Sequence, residues 1–137
     1  MFRVLIVDDH ELVRLGMAKI IRTGFSEAVI GHASDGQQAV KLLQAEAWDV
    51  ALLDINMPRM SGVEVLRVLR QAQVKTPVII VSTHASAPYI KGSLKAGAAG
   101  FVTKSAVPEE LLEAIDKVLA GERFLSSDIR SVADDAN

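Results

Sequence analysis

The chain has no cysteine and few aromatic rings, with one Trp, one Tyr and four Phe among 137 residues. Without a thiol there is neither a disulfide framework nor a thiolate metal site, and an intracellular setting is expected. The shortage of rings leaves the core to aliphatic side chains, which suits packed strands and helices, since half of the residues are hydrophobic. No run approaches the roughly 18 apolar residues of a membrane span. Met1-Phe2-Arg3-Val4 leads into an apolar run that stops at Asp8, too short for the core of a signal segment. A soluble, cytoplasmic protein with no membrane contact is therefore expected. An excess of one charge is also missing. The net charge is -2 and the Lys and Arg residues are scattered, so the chain by itself offers no footprint for a nucleic-acid backbone. Its length fits one domain that buries roughly 68% of the surface its unfolded form exposes.

What is present is a series of short apolar runs, each ending in a polar group. Val50-Ala51-Leu52-Leu53 delivers Asp54 and halts at Pro58, after the loop Asn56 to Met60. A run of that length reads as a strand buried on both faces, and proline forbids further regular pairing. Val4-Leu5-Ile6-Val7 ends in Asp8 and Asp9, Val78-Ile79-Ile80-Val81 in Ser82, and Gly100 to Thr103 in Lys104. A weaker strand is predicted over Ala28 to Ala33. The β-branched run opened by Pro77 is the clearest strand of a sheet covered on both sides.

Helical spacing separates these runs. Asp9 is predicted to cap the first helix, whose apolar face holds Val13, Met17, Ile20 and Ile21, with Gly24 at its end. Ser34 and Gln37 have capping-box spacing before the second helix, as do Ser61 and Glu64 before the third. The helix around Tyr89 to Ala96 contains Gly92 and Ser93 and few large apolar anchors, so it is predicted to be the most mobile. Pro108-Glu109-Glu110 opens the last helix, striped by Leu111, Ile115, Val118 and Leu119 and closed by Gly121. Such alternation of five strands with five helices makes a doubly wound parallel α/β sheet the economical architecture. From Glu122 onward the chain is predicted to be a linker or a frayed extra turn.

In a parallel sheet the groups that end the runs gather on one edge, where open α/β sheets bind ligands. Asp8, Asp9 and Asp54 close together need a compensating cation, because like charges raise one another's pKa. Oxygen donors suit Mg²⁺, and the absence of cysteine and of paired histidines argues against zinc. With the Lys104 ammonium and the Ser82 hydroxyl, such a site has the parts to hold a phosphoryl group and to let Asp54 act as its nucleophilic acceptor. A single acid at a strand end is more often a helix cap; the joint pattern carries the expectation.

Three near matches to known motifs fail. His10-Glu11-Leu12-Val13-Arg14 begins like a zinc-protease helix but has Arg14 in place of the second histidine, and neither glycine-containing segment (Gly31 to Gln37, Gly100 to Ser105) completes a Walker loop. His32 and His84 read as structural or surface groups, and Lys91 with Lys95 as a solvated helix face.

Val-Asp8-Asp9-His, Leu-Leu-Asp54-Ile-Asn-Met-Pro58-x-Met-Ser-Gly62, Val-Ser82 and Gly97-Ala-Ala-Gly100-Phe-Val-Thr-Lys104 occur in this order. In these motifs the chain, to about Phe124, resembles the receiver domains of bacterial two-component response regulators. The resemblance implies a flavodoxin-like fold with strand order 2-1-3-4-5, and a receiver over 1–121 followed by a linker or tail over 122–137. It implies Asp54 as phosphoacceptor, charged by a sensor histidine kinase. It further implies Mg²⁺ held by Asp8, Asp9, Asp54 and the backbone carbonyl of Asn56, phosphoryl oxygens bound by Ser82 and Lys104, and Phe101 as the switch aromatic. In the family that switch remodels the face made by the fourth helix, fifth strand and last helix. Details at both ends look most like the NarL/FixJ type, which carry a C-terminal helix-turn-helix domain. The chain is then expected to be a receiver cut from a longer transcription factor, reaching DNA only through that domain and open to homodimerisation on phosphorylation. The alternative is a stand-alone receiver.

Two positions depart from the common pattern: Phe101 replaces a frequent tyrosine, and Thr83 replaces a smaller residue beside the acceptor. An enzyme of the aspartyl-phosphate class is a competing expectation, weakened by Asn56 where haloacid-dehalogenase-like enzymes place a second acid. A degenerate docking module is a third, weakened by the presence of all five site residues.

Overall fold

The computed structural model describes residues 1–135. Its strands are β1 (Arg3–Val7), β2 (Val29–Ala33), β3 (Val50–Leu53), β4 (Val78–Ser82), β5 (Gly100–Thr103) and β6 (Phe124–Leu125). Its helices are α1 (Glu11–Gly24), α2 (Gly36–Ala45), α3 (Gly62–Gln71), α4 (Ala87–Lys95), α5 (Val107–Leu119) and α6 (Arg130–Asp135). The strands form one sheet in the order β2-β1-β3-β4-β5-β6, and every pairing is parallel. This is the expected 2-1-3-4-5 order with one strand added beyond β5.

Period-two alternation divides each central strand between two cores. Val4, Ile6, Leu52, Ile79 and Val81 pack on one face with residues of α1 and α5 such as Ile21 and Ile115. Leu5, Val7, Leu53 and Ile80 pack on the other with Leu43 of α2, Leu69 of α3 and Ile90 of α4. Each such aliphatic side chain contributes about 1.5–3 kcal/mol when fully buried. The apolar runs are therefore continuous because both sides of the sheet are covered.

Register brings the acids together. Val7 pairs with Leu53, so Asp8 and Asp54 leave the sheet side by side, and Ser82 pairs with Thr103, one residue before Lys104. The backbone ladder continues through this edge, with the Asp54 N–H donating to the Val7 carbonyl at 3.0 Å.

Three local predictions need correction. His10, not Asp9, stands at the N-cap of α1 and makes no side-chain cap bond. The Asp8 carboxylate takes the His10 N–H at 2.9 Å and closes this turn from one residue earlier, leaving Asp9 exposed. The capping box of α2 lies one residue later than predicted, with Asp35 accepting from the Gln38 N–H at 2.8 Å and Gln38 reaching back to the Ser34 N–H at 2.8 Å. Ser61 caps α3 as expected, accepting from the Glu64 N–H at 3.3 Å. α4 begins two residues before Tyr89, where Pro88 fits the first helical turn.

The third correction concerns the tail. Beyond Gly121 the chain runs along the free edge of β5 as β6, with Gly100 opposite Phe124 and Phe101 opposite Leu125. A Cβ at Gly100 would sit 2.9 Å from the Phe124 carbonyl oxygen, so the close approach of β6 depends on glycine there. Phe124 and Ile129 are buried, one in each core. A two-residue strand has no periodicity of its own; only the exposed edge of β5 reveals it.

Candidate functional site

Asp8 lies fully buried at the end of β1. Its Oδ1 accepts the His10 N–H, and the His10 ring places Nδ1 3.1 Å from both Asp8 Oδ1 and Asp9 Oδ1. The Arg14 guanidinium donates to the Asp8 carbonyl. Asp8 Oδ2 takes no aligned hydrogen bond; the Lys104 ammonium meets it at 3.0 Å as an ion partner.

Asp54, 5% exposed, sits at the end of β3, held by the Asn56 N–H, which donates to Oδ1 at 3.2 Å. Its Oδ2 is 3.5 Å from the same Lys104 ammonium. The lysine thus stands between the two buried carboxylates. Gly62, at the start of α3, packs directly behind this strand end. A Cβ there would lie 2.9 Å from the Asp54 carbonyl oxygen and from the Ile55 Cα, so only glycine lets α3 begin so close to the acid.

The environment sets the two acids apart. Burial alone would raise Asp8, but the His10 N–H and Lys104 outweigh it and hold the carboxyl below its usual value. At Asp54 burial prevails over Lys104 and the Asn56 N–H, with the Asp8 charge adding to it, and the carboxyl is raised. Burial would lower Lys104, yet its two acidic partners raise it, so it remains a fixed cation at neutral pH. Asp8, Asp9 and His10 present ligand atoms within 4.8 Å of one another, whereas Asp54 stands outside that group, across the lysine. The clustered carboxylate oxygens of Asp8 and Asp9 fit a hard divalent cation.

Ser82 is fully buried at the end of β4, its Oγ accepting the His84 N–H at 2.9 Å. Phe101 is also fully buried, on the side of the sheet that holds Ile90 and Ile129. Asn56 is exposed, and its side-chain amide bonds to His84 Nδ1. Two histidines thus join a site from which the sequence reading omitted them. His84 bridges the loops after β3 and β4 and meets the Tyr89 ring edge-on at 5.6 Å, while His10 lies over the acid pair. Each stands two residues beyond a strand-end residue of the site, and this repeated spacing was the available signal.

Fold and site together define a CheY-like α/β domain with an acidic, lysine-bridged centre at the carboxyl edge of its sheet. The chain belongs to the response regulator receiver domain family, whose model matches residues 4–116. It is 40% identical to the response regulator UvrY of Escherichia coli K12 over 129 residues, covering 94% of this chain and 59% of that protein. To the response regulator GacA of Pseudomonas aeruginosa it is 38% identical, covering 94% of this chain and 60% of that one. The chain thus spans less than two thirds of these relatives. A two-component response regulator of the LuxR family from Aurantimonas superposes with a TM-score of 0.91 at 34% identity, covering 97% of this chain and 95% of that one. A LuxR family DNA-binding response regulator from Silicibacter pomeroyi gives a TM-score of 0.81 at 32% identity, covering 93% and 99%. The chain is a receiver domain related to NarL-type regulators. Among the described residues no helix is long and apolar enough to cross a membrane.

Proposed function

We propose that this chain is the phosphoacceptor receiver of a longer response regulator, with Asp54 taking a phosphoryl group from a sensor histidine kinase in the cytoplasm. The observation that carries this reading is Lys104, poised between Asp8 Oδ2 and Asp54 Oδ2. An oxygen of Asp54 attacks phosphorus and forms the O–P bond; the P–N bond of the donor phosphohistidine breaks, and the released imidazole nitrogen takes its proton from solvent. A carboxylate is already deprotonated near neutral pH, so no general base is needed.

The Asn56 N–H orients Asp54 through Oδ1. Lys104 is the residue assigned to the phosphoryl oxygens, because its ammonium already lies beside the oxygen that would carry them. Ser82 is assigned with it, from the neighbouring strand end. Asp8 and Asp9, with Asp54 and the Asn56 carbonyl, are the residues that would hold Mg²⁺. When bound, the ion supplies charge neutralisation for the acids and the incoming phosphoryl oxygens. Phe101 is assigned as the switch aromatic.

The receiver unit is read as residues 1–121, with 122–137, whose described part packs on the β5 edge, leading towards an effector domain. Output would be transcriptional, through a separate DNA-binding domain, in line with the Silicibacter relative being a DNA-binding response regulator, with homodimerisation on phosphorylation as one route. Turnover of small substrates is not part of this reading.

The test is intact mass after incubation with acetyl phosphate, with and without Mg²⁺, on the wild type and Asp54→Asn. One metal-dependent phosphoryl addition, absent from the variant, is expected. Addition that survives in Asp54→Asn would move the acceptor elsewhere, and fast continuous release of phosphate would favour a hydrolase.

A further inference from the structure

The tail contacts the segment that carries Lys104. Thr103 and Ser105 flank the lysine; the Thr103 hydroxyl reaches the tail and the Ser105 hydroxyl reaches Thr103. Thr103 Oγ1 donates to Asp128 Oδ2 at 2.6 Å, and Ser105 Oγ lies 3.2 Å from Thr103 Oγ1. The Thr103 N–H donates to Ser126 Oγ at 3.2 Å, and the Ser126 hydroxyl donates to Asp128 Oδ1 at 2.7 Å. One carboxylate therefore gathers the hydroxyls on either side of β5's end. Thr103 and Ser126 are buried, so their hydroxyls meet the exposed Asp128 carboxylate at the surface end of the site.

Thr103 also stands at the N-cap of the short 3₁₀ turn Lys104–Ala106, yet makes no side-chain cap bond to it. Threonine at that position ordinarily returns its oxygen to its own turn. Here its hydroxyl is directed to the tail instead, so the turn that begins with Lys104 is fixed by Asp128. Thr103 pairs in register with Ser82. Both residues assigned to phosphoryl oxygens thus border Thr103, whose hydroxyl Asp128 holds.

A second set of bonds anchors the tail without touching this segment. The Ser127 N–H and hydroxyl donate to the Glu110 carboxylate at 2.9 and 2.8 Å, and Arg130 approaches it at 3.8 Å. The two anchors are separable by mutation.

We propose that Asp128 is a positioning residue for Lys104, acting through the Thr103 and Ser105 hydroxyls, so that the tail and the acceptor site form one hydrogen-bonded unit. The proposal rests on the phosphoacceptor reading. The hydroxyls of Thr103 and Ser126 are also what hold the Asp128 carboxyl below its usual value, which keeps it charged as an acceptor. A lysine drawn towards a new phosphoryl oxygen would shift the backbone of this turn and load the bonds to Asp128. An effector domain joined to the tail, as in the reading above, would then sense the state of Asp54 without contacting it.

The experiment compares wild type, Asp128→Ala, Asp128→Asn and Glu110→Ala in the full chain. It reads the rate of phosphoryl uptake from acetyl phosphate at saturating Mg²⁺, the Mg²⁺ affinity and the unfolding midpoint. Uptake in Asp128→Ala is expected to fall about tenfold, since displacing a reacting group by a fraction of an ångström is costly in rate. Mg²⁺ affinity should stay unchanged. Asp128→Asn, which keeps an acceptor oxygen, should recover to within about threefold of wild type. Glu110→Ala should match wild type in rate while lowering the midpoint. Wild-type rates in Asp128→Ala would overturn the proposal, and so would equal slowing in Asp128→Ala and Glu110→Ala, which would reduce the effect to tail packing. If the wild type takes up no phosphoryl group, the phosphoacceptor reading fails by itself. Amide exchange at Lys104 and Ser105 then decides positioning: faster exchange in Asp128→Ala alone supports it, and equal exchange in the two alanine variants overturns it.

Discussion

The Lys104 ammonium lies 3.0 Å from Asp8 Oδ2, and this ion pair crosses the sheet edge from the end of β5 to the end of β1. It passes Asp54 on the way, at 3.5 Å. The same cation therefore offsets the burial of two acids contributed by other strands.

Replacing Lys104 with Met leaves two buried carboxylates without their cation. Loss of one partner from a buried pair costs about 3–5 kcal/mol, and partial solvent access to the lysine reduces this to about 2 kcal/mol. Urea unfolding of Lys104→Met at neutral pH should show that loss, with phosphoryl uptake reduced at least about tenfold in the same protein. Undiminished stability would mean that the acids do not depend on the lysine.

Gly62→Ala drives a methyl group against the Asp54 carbonyl and Ile55 Cα. Both are backbone atoms, which cannot swing aside as a side-chain end would. A loss of about 1–3 kcal/mol is expected, together with slower phosphoryl uptake because the loop that follows Asp54 must shift. Thermal unfolding and acetyl phosphate kinetics on one preparation check both effects.

Ile129→Ala tests whether the tail belongs to the fold. The side chain is 3% exposed and shares a core with Phe101 and Ile90, so truncation should cost about 2–4 kcal/mol. A dangling linker would show no change in the unfolding midpoint.

Asp128 gives a pH dependence of defined sign. Its carboxyl is held below the usual value, chiefly by the Thr103 hydroxyl. A carboxyl lowered in the folded state contributes stability that is complete above its unfolded pKa of about 4. That contribution is lost as pH falls through the folded value. Acid titration of stability should therefore be shallower for Asp128→Asn than for wild type, with the difference appearing only below about pH 4. Parallel curves would show that the carboxylate is not engaged.

Much of this protein is local in origin and could be read along the chain. Val4 to Val7, Val50 to Leu53 and Val78 to Val81 are apolar throughout because a parallel sheet covered on both faces leaves no side to water. Each of these runs ends in a polar group at the sheet edge, so Asp8, Asp54, Ser82 and, after Gly100 to Thr103, Lys104 were visible as candidates. Asp9 shows where such reading fails: an acid before a helix resembles a cap, yet Asp8 took the N–H that closes the turn.

Tertiary structure decided the rest, because it depends on which strand ends become neighbours. Register sets Asp8 beside Asp54, and proximity makes Lys104 their shared cation. His84 acquires its role only when the loop after β4 meets Asn56 from the loop after β3. β6 exists because β5 has an open edge and Gly100 has no side chain to block it. Contacts of this kind join residues far apart in sequence, as Thr103 and Asp128 are, and no periodicity within either segment encodes them. The sequence alone determined which chemical groups arrive at the edge of the sheet; the fold determined which of them touch.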